Sequence, residues 1–192
     1  MFSSIVQAQE NASSPISWNS KIAFASQMQL GETVSYDPAY VSLAFPNGDV
    51  DRSTGVCTDV VIRSLRDAHG LDLQSLVNRD MKRNFSTYPK NWGLKRTDAN
   101  IDHRRVPNLR RYFERKGFSL GVSDDPADYK AGDIVSWRLP SNLTHIGVVS
   151  IAKSPSNGNP LIVHNIGSGA QIEDVLFAFE ITGHYRLKQA SF

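Results

Sequence analysis

Apolar residues recur with two different periods in the two halves of the chain. Over residues 16–30 the positions Ile16, Ile22, Ala23, Ala25 and Met28 can share one helical face, with Gly31 placed to stop it. Cys57, Val60, Val61, Ser64, Leu65 and Ala68 repeat the three-and-four spacing, and Gly70 supplies the C-terminal stop. Leu73, Leu76, Val77, Met81 and Phe85 predict a third helix. Pro107 suits the first turn of a fourth, with Leu109, Tyr112, Phe113 and Lys116 on one face and Gly117 at its end. Beyond about residue 118 the runs shorten and turn residues gather between them. Ile134–Trp137, His145–Ala152, Leu161–Asn165 and Gly183–Leu187 read as strands. Two prolines, two asparagines and a glycine lie in residues 154–160, so the second and third strands should form an antiparallel hairpin. Helices first and strands later indicate an α+β fold, with N-terminal helices packed on a C-terminal antiparallel sheet.

The segments between these elements are less regular. Residues 34–45 read as extended or turning, broken by Pro38 and Pro46, with Tyr36 and Tyr40 expected to pack while keeping a polar tip. Residues 86–106 form a polar stretch of a length that in compact domains is often functional or mobile. Within it, His103-Arg104-Arg105 could meet a substrate carboxylate or form a solvated turn. Residues 1–15 read as a flexible lead, and Val6-Gln7-Ala8 resembles the small-residue end of an export signal, which points to a periplasmic or secreted protein. Residues 16–192 then make one domain, since no linker divides them.

Composition narrows the function. Among 192 residues, 40% are hydrophobic and 21% charged, as in ordinary globular proteins. A net charge of +2 without a dense basic tract argues against nucleic acid, and Arg104-Arg105 and Arg110-Arg111 read as solvated or ion-paired. No apolar run reaches the ~18 residues of a membrane span. With five histidines but no ligand-like close spacing, neither a metal nor another cofactor is expected.

The chain's single cysteine draws the most attention. Cys57 falls in the first turn of its helix, after a loop of turn-forming residues. Backbone N–H groups there favour a negative charge, and a thiol so placed can drop to a pKa of roughly 3.5–7.5. The competing role is that of a small buried hydrophobe. Asp59 reads as an electrostatic aid to the helix start rather than a base. A thiol hydrolase needs an imidazole beside the sulfur and a polar group to orient it. His145 opens one strand and His164-Asn165 ends the next, so pairing would bring His145 beside one of those two side chains. Either can accept the His145 N–H, and the alternation of side chains allows only one.

Gly132-Asp133-Ile134-Val135-Ser136-Trp137, then His145-Ile146-Gly147-Val148-Val149 and Ile162-Val163-His164, resembles the catalytic half of NlpC-type and CHAP-type papain-like peptidases. Gly55–Val61, Asp102–Leu109, Ile162–Gly167 and Gly183–Arg186 are similar to the YijF-like family of uncharacterised exported bacterial proteins. The resemblance spans roughly residues 16–188. It implies a papain-like α+β fold and a Cys-His-His site of Cys57, His145 and His164. It further implies hydrolysis of amide bonds in cell-wall peptides. Thiol acyl transfer, lipid-ester hydrolysis and non-catalytic wall binding are the alternatives on the same scaffold. Departures from the peptidase pattern are Val56, where an aspartate is usual, Thr58, where a serine is usual, and a longer loop between the second and third strands.

Overall fold

The computed structural model describes residues 16–192. The expected lead of residues 1–15, with its export-signal reading, lies outside them. Four helices, α1 (Trp18–Gln27), α2 (Cys57–His69), α3 (Leu73–Asn84) and α4 (Val106–Arg115), precede or flank six strands. The strands are β1 (Ser119–Leu120), β2 (Ile134–Arg138), β3 (Thr144–Lys153), β4 (Pro160–His164), β5 (Gln171–Glu173) and β6 (Glu180–Tyr185). They make one antiparallel sheet in the order β1-β6-β2-β3-β4-β5.

The helix ends follow local chemistry. Ser17 caps α1 by accepting the Ser20 N–H at 3.0 Å, so the helix starts after Ile16 rather than at it. Gly70 adopts φ 67° and closes α2, a conformation that costs glycine little. Asp72 caps α3 through the Gln74 N–H at 3.1 Å, and Pro107 lies in the first turn of α4.

The centre of the sheet is covered on both faces. Ile134, Ile146, Val148 and Val163 face the helix layer, where they meet Val60, Val61, Leu65, Leu109 and Phe113. Their neighbours Val135, Trp137, Val149 and Ile162 point the other way, into a smaller cluster closed by Tyr129 and Leu176. Trp137 Nε1 donates to the Leu176 carbonyl at 2.9 Å, which satisfies its one donor. Two-sided burial explains why β2 reads as a near-continuous apolar run instead of an alternating one.

The Gly132-Asp133 pair has a specific duty. Gly132 sits at φ 86° with a backbone atom of Asn19 occupying the space a Cβ would need, so the turn before β2 packs directly on α1. Asp133 is fully buried and accepts from His184 Nε2 at 2.7 Å and from Arg186 Nε and Nη2, both at 2.7 Å. This strut fastens β2 to the end of β6, and hydrogen bonds from His184, Arg186 and the Lys130 N–H, together with the Arg186 charge, hold the Asp133 carboxyl below its usual pKa against the effect of burial.

Candidate active site

Three devices present Cys57. Asp59, one turn in, accepts the Val56 N–H at 2.7 Å, which satisfies a donor that the apolar Val56 side chain could not help. The same carboxylate takes a bidentate pair from Arg104, at 2.9 and 2.8 Å, with both side chains buried. Arg63, on the following turn, is fully buried and gathers the loop in front of the cysteine. It reaches Asp49 at 3.1 Å, Thr33 Oγ1 at 3.0 Å and the Thr54 carbonyl at 2.9 Å, and also the carbonyls of Val50 and Asp51, both at 3.2 Å.

The α2 start abuts β3 where its ladder with β4 ends. The backbone N–H groups of Ile146, Thr58 and Cys57 itself pull the Cys57 pKa down. These donors favour a thiolate, but burial dominates and pushes the thiol up to about 12. The lowering expected for a helix start is therefore reversed, because desolvation of an anion outweighs three N–H groups. The resting site holds a neutral thiol.

His145 lies next to Ile146 in the chain. Its Nε2 is 3.0 Å from Nδ1 of His164, with the two rings edge to face. The pairing is diagonal: Val148 faces Val163, so Gly147 faces His164, two residues from His145. A side chain at Gly147 would collide with Ile162 and His164, which accounts for glycine in His-apolar-Gly. Asn165 turns elsewhere. It donates to the Gly55 carbonyl at 3.0 Å and the Ser35 carbonyl at 3.3 Å, tying the end of β4 to the cysteine loop. Of the two candidate partners, His164 is the one that meets His145.

Glu173 was not among the sequence-predicted residues. Its Oε2 lies 3.0 Å from His164 Nε2, an ion-pair contact that falls short of an aligned hydrogen bond. The only sequence signal was a three-residue strand, too short to stand out. A carboxylate here favours His164 as the Nε2–H tautomer, which leaves Nδ1 to accept. His145 must then donate from Nε2, and its own Nδ1 keeps a lone pair. Burial, reinforced by His164, holds His145 down at about 3, so the ring is neutral at physiological pH. His164 is lowered by burial too, against the raising pull of Glu173.

A cleft of about 220 Å³ opens beside the sulfur, lined by Tyr36, Trp92, Arg104, Arg105 and Thr144 among others. Burial and the proximity of Cys57 and Asp59 raise the Tyr36 pKa, so its phenol is a neutral donor at the cleft wall. Tyr40 instead bonds Asp98 at 3.1 Å and receives Asn100 at 2.8 Å. Asp102-His103-Arg104 forms a buried single turn of 3-10 helix, which corrects the solvated-turn expectation for that part of the segment. Arg111 pairs with Glu114 at 3.0 Å, while Arg110 donates to the Thr182 carbonyl at 2.7 Å. Among the described residues no cluster of three or more His, Cys, Asp or Glu side chains is arranged to hold a metal, and no helix is long and apolar enough to cross a membrane.

Two of the four buried histidines, His103 and His145, predict a pH response of the fold. Burial lowers His103 to about 4, and His145 stands at about 3, whereas an unfolded chain takes up both protons near 6.5. Their neutral-state contribution is complete above about pH 6.5 and is lost progressively as pH falls toward 4 and then 3. Differential scanning calorimetry should show Tm dropping by about 8–15 °C between pH 7 and pH 5. His103→Gln should flatten part of that slope.

The architecture defines an α+β protein with an amidase-like fold. A solved N-acetylmuramoyl-L-alanine amidase from Bacteroides uniformis ATCC 8492 superposes with a TM-score of 0.53 at 12% identity, over 89% of this chain and 99% of that one. NlpC1 from Trichomonas vaginalis gives a TM-score of 0.45 at 13% identity, over 90% of this chain and 48% of that one, so the chain spans about half its length. Within that fold, residues 23–187 match the family described as Domain of unknown function (DUF1287), and the chain belongs to it. The uncharacterized protein YijF of Escherichia coli (strain K12) is 54% identical over 182 residues, covering 95% of this chain and 85% of that protein.

Proposed function

We propose that the protein is an exported cysteine hydrolase of peptide or amide bonds, with cell-wall stem peptides as its substrate. One observation carries this reading: His145 is bonded to His164 through Nε2, which leaves its Nδ1 uncommitted, and its chain neighbour Thr144 lines the same open cleft as the helix-start Cys57. The similarity to an N-acetylmuramoyl-L-alanine amidase supports the fold on which such chemistry would run and suggests the substrate class.

The resting groups are neutral, so proton transfer accompanies attack rather than preceding it. Sγ bonds to the substrate carbonyl carbon as His145 Nδ1 takes the thiol proton. His164, polarised by Glu173, accepts the hydrogen bond from His145 Nε2 and steadies the imidazolium. Charge moves to the carbonyl oxygen, where the Cys57 N–H at the start of α2 is available to stabilise it. The carbon–nitrogen bond then breaks, and His145 returns its proton to the leaving amine. Water cleaves the resulting thioester through the same imidazole, releasing a carboxylic acid and restoring the thiol. Acid-quenched intact-protein mass spectrometry tests this sequence. An acyl adduct on Cys57 is expected with cell-wall peptides, and its absence during active turnover would reject covalent catalysis.

Glu173→Gln keeps the shape and removes the charge. Because Glu173 is partly exposed, its effect should be modest: kcat falls roughly threefold to tenfold. KM and Tm should stay close to wild type. A KM effect with kcat intact would instead mark Glu173 as a substrate contact.

A further inference from the structure

We infer that Arg105 forms a subsite for a substrate carboxylate in the Cys57 cleft. This rests on the hydrolase reading for calling the ligand a substrate, but not for the binding itself.

The cleft carries two arginines of different standing. Arg104 is spoken for, held in two hydrogen bonds by Asp59. Arg105 is not. Its guanidinium makes no hydrogen bond to any described residue, although its side chain is only 17% exposed. Its carboxylate contact is Asp102 Oδ1, 3.7 Å from Nη1 and beyond hydrogen-bond reach, and both of those atoms are buried without a partner. The two donors of Nη1, buried without a partner, are costly. Burial correspondingly lowers the Arg105 pKa, and the attraction of Asp102 and Asp98 does not make up the difference.

The geometry fixes where the fork is presented. The guanidinium carbon lies 4.0 Å from the ring centre of Trp92, which is itself 41% exposed at the cleft. The attraction of the cation for the ring face holds the guanidinium at this wall of the cleft. No aspartate or glutamate lines the cleft itself, so the carboxylate of Asp102, 3.7 Å away, is the near competitor for the cation. A planar, oriented, underpaired guanidinium is matched by a carboxylate, which can accept two parallel N–H bonds. The favoured substrates are thus acidic peptides with a free carboxylate near the scissile amide.

The test uses the Cys57→Ala protein, so that binding is read without turnover. Isothermal titration would compare N-acetyl-alanyl-glutamyl-alaninamide with its glutamine counterpart. The glutamate peptide is expected to bind roughly 10- to 100-fold more tightly, and Arg105→Gln should erase the difference at unchanged Tm. Arg105→Lys should recover only part of it, since a point charge lacks the fork. Equal affinity for the two peptides, no measurable binding of either, or a preference that survives Arg105→Gln would each overturn the assignment. Loss of hydrolysis in a separate wild-type assay bears on the hydrolase reading alone.

Discussion

Replacing Cys57 with alanine is expected to abolish hydrolysis, by at least about 10⁴-fold, with Tm within about 3 °C of wild type. The activity effect is large because no second thiol exists in the chain to take over the attack. The stability effect is small because the neutral thiol is a modest apolar surface, and its removal relieves no charge. His145→Ala should cost nearly as much, since without the imidazole a thiol held up at about 12 has no route for its proton. The double variant should be no worse than either single one, which is how residues acting as a unit behave. Steady-state kinetics with thermal melts on the three proteins reads this directly. Additive losses would show that the two side chains act separately.

Arg63 should dominate stability as Cys57 dominates activity. Its guanidinium sits at zero exposure and holds Asp49, Thr33 Oγ1 and three loop carbonyls within 3.2 Å. Arg63→Met removes the cation and leaves these acceptors unpaired in a desolvated place, at a cost of about 3–5 kcal/mol. Urea titration should resolve that loss. Arg63→Lys should restore little, because one ammonium cannot span acceptors arranged around a fork. Activity at low temperature, where the fold persists, should fall as well, since the strut shapes the loop entering α2. A variant with wild-type stability would show that the loop is held by other means.

Much of this was legible in the sequence, and the reasons are physical. The α2 helix announces itself through three-and-four spacing and the Gly70 stop, and the two histidine strands through apolar runs bounded by turn residues. Those local signals were enough to start a helix at Cys57 and to set His145 and His164 on paired strands. Other features depend on three-dimensional arrangement. Whether His164 or Asn165 meets His145 depends on register and on the space that Gly147 leaves, and periodicity reports neither. Glu173 sits on a three-residue strand, below the length at which alternation can be seen. Asp133, His184 and Arg186 converge across 53 positions of chain, and the two arginines at 104 and 105 look alike until one is found paired and the other not. The thiol's pKa went against expectation for the same reason. A helix start can be read from sequence, whereas the depth of burial that outweighs it cannot.

The central claim is that a Cys57 thiol cleaves amide bonds in cell-wall peptides. Liquid chromatography with mass spectrometry of purified peptidoglycan peptides, incubated in parallel with wild type and Cys57→Ala, tests it most directly. The account predicts fragment pairs whose summed mass exceeds the parent by one water, with a new amine and a new carboxylate, in the wild-type digest alone. Identical digests from the two proteins would contradict it.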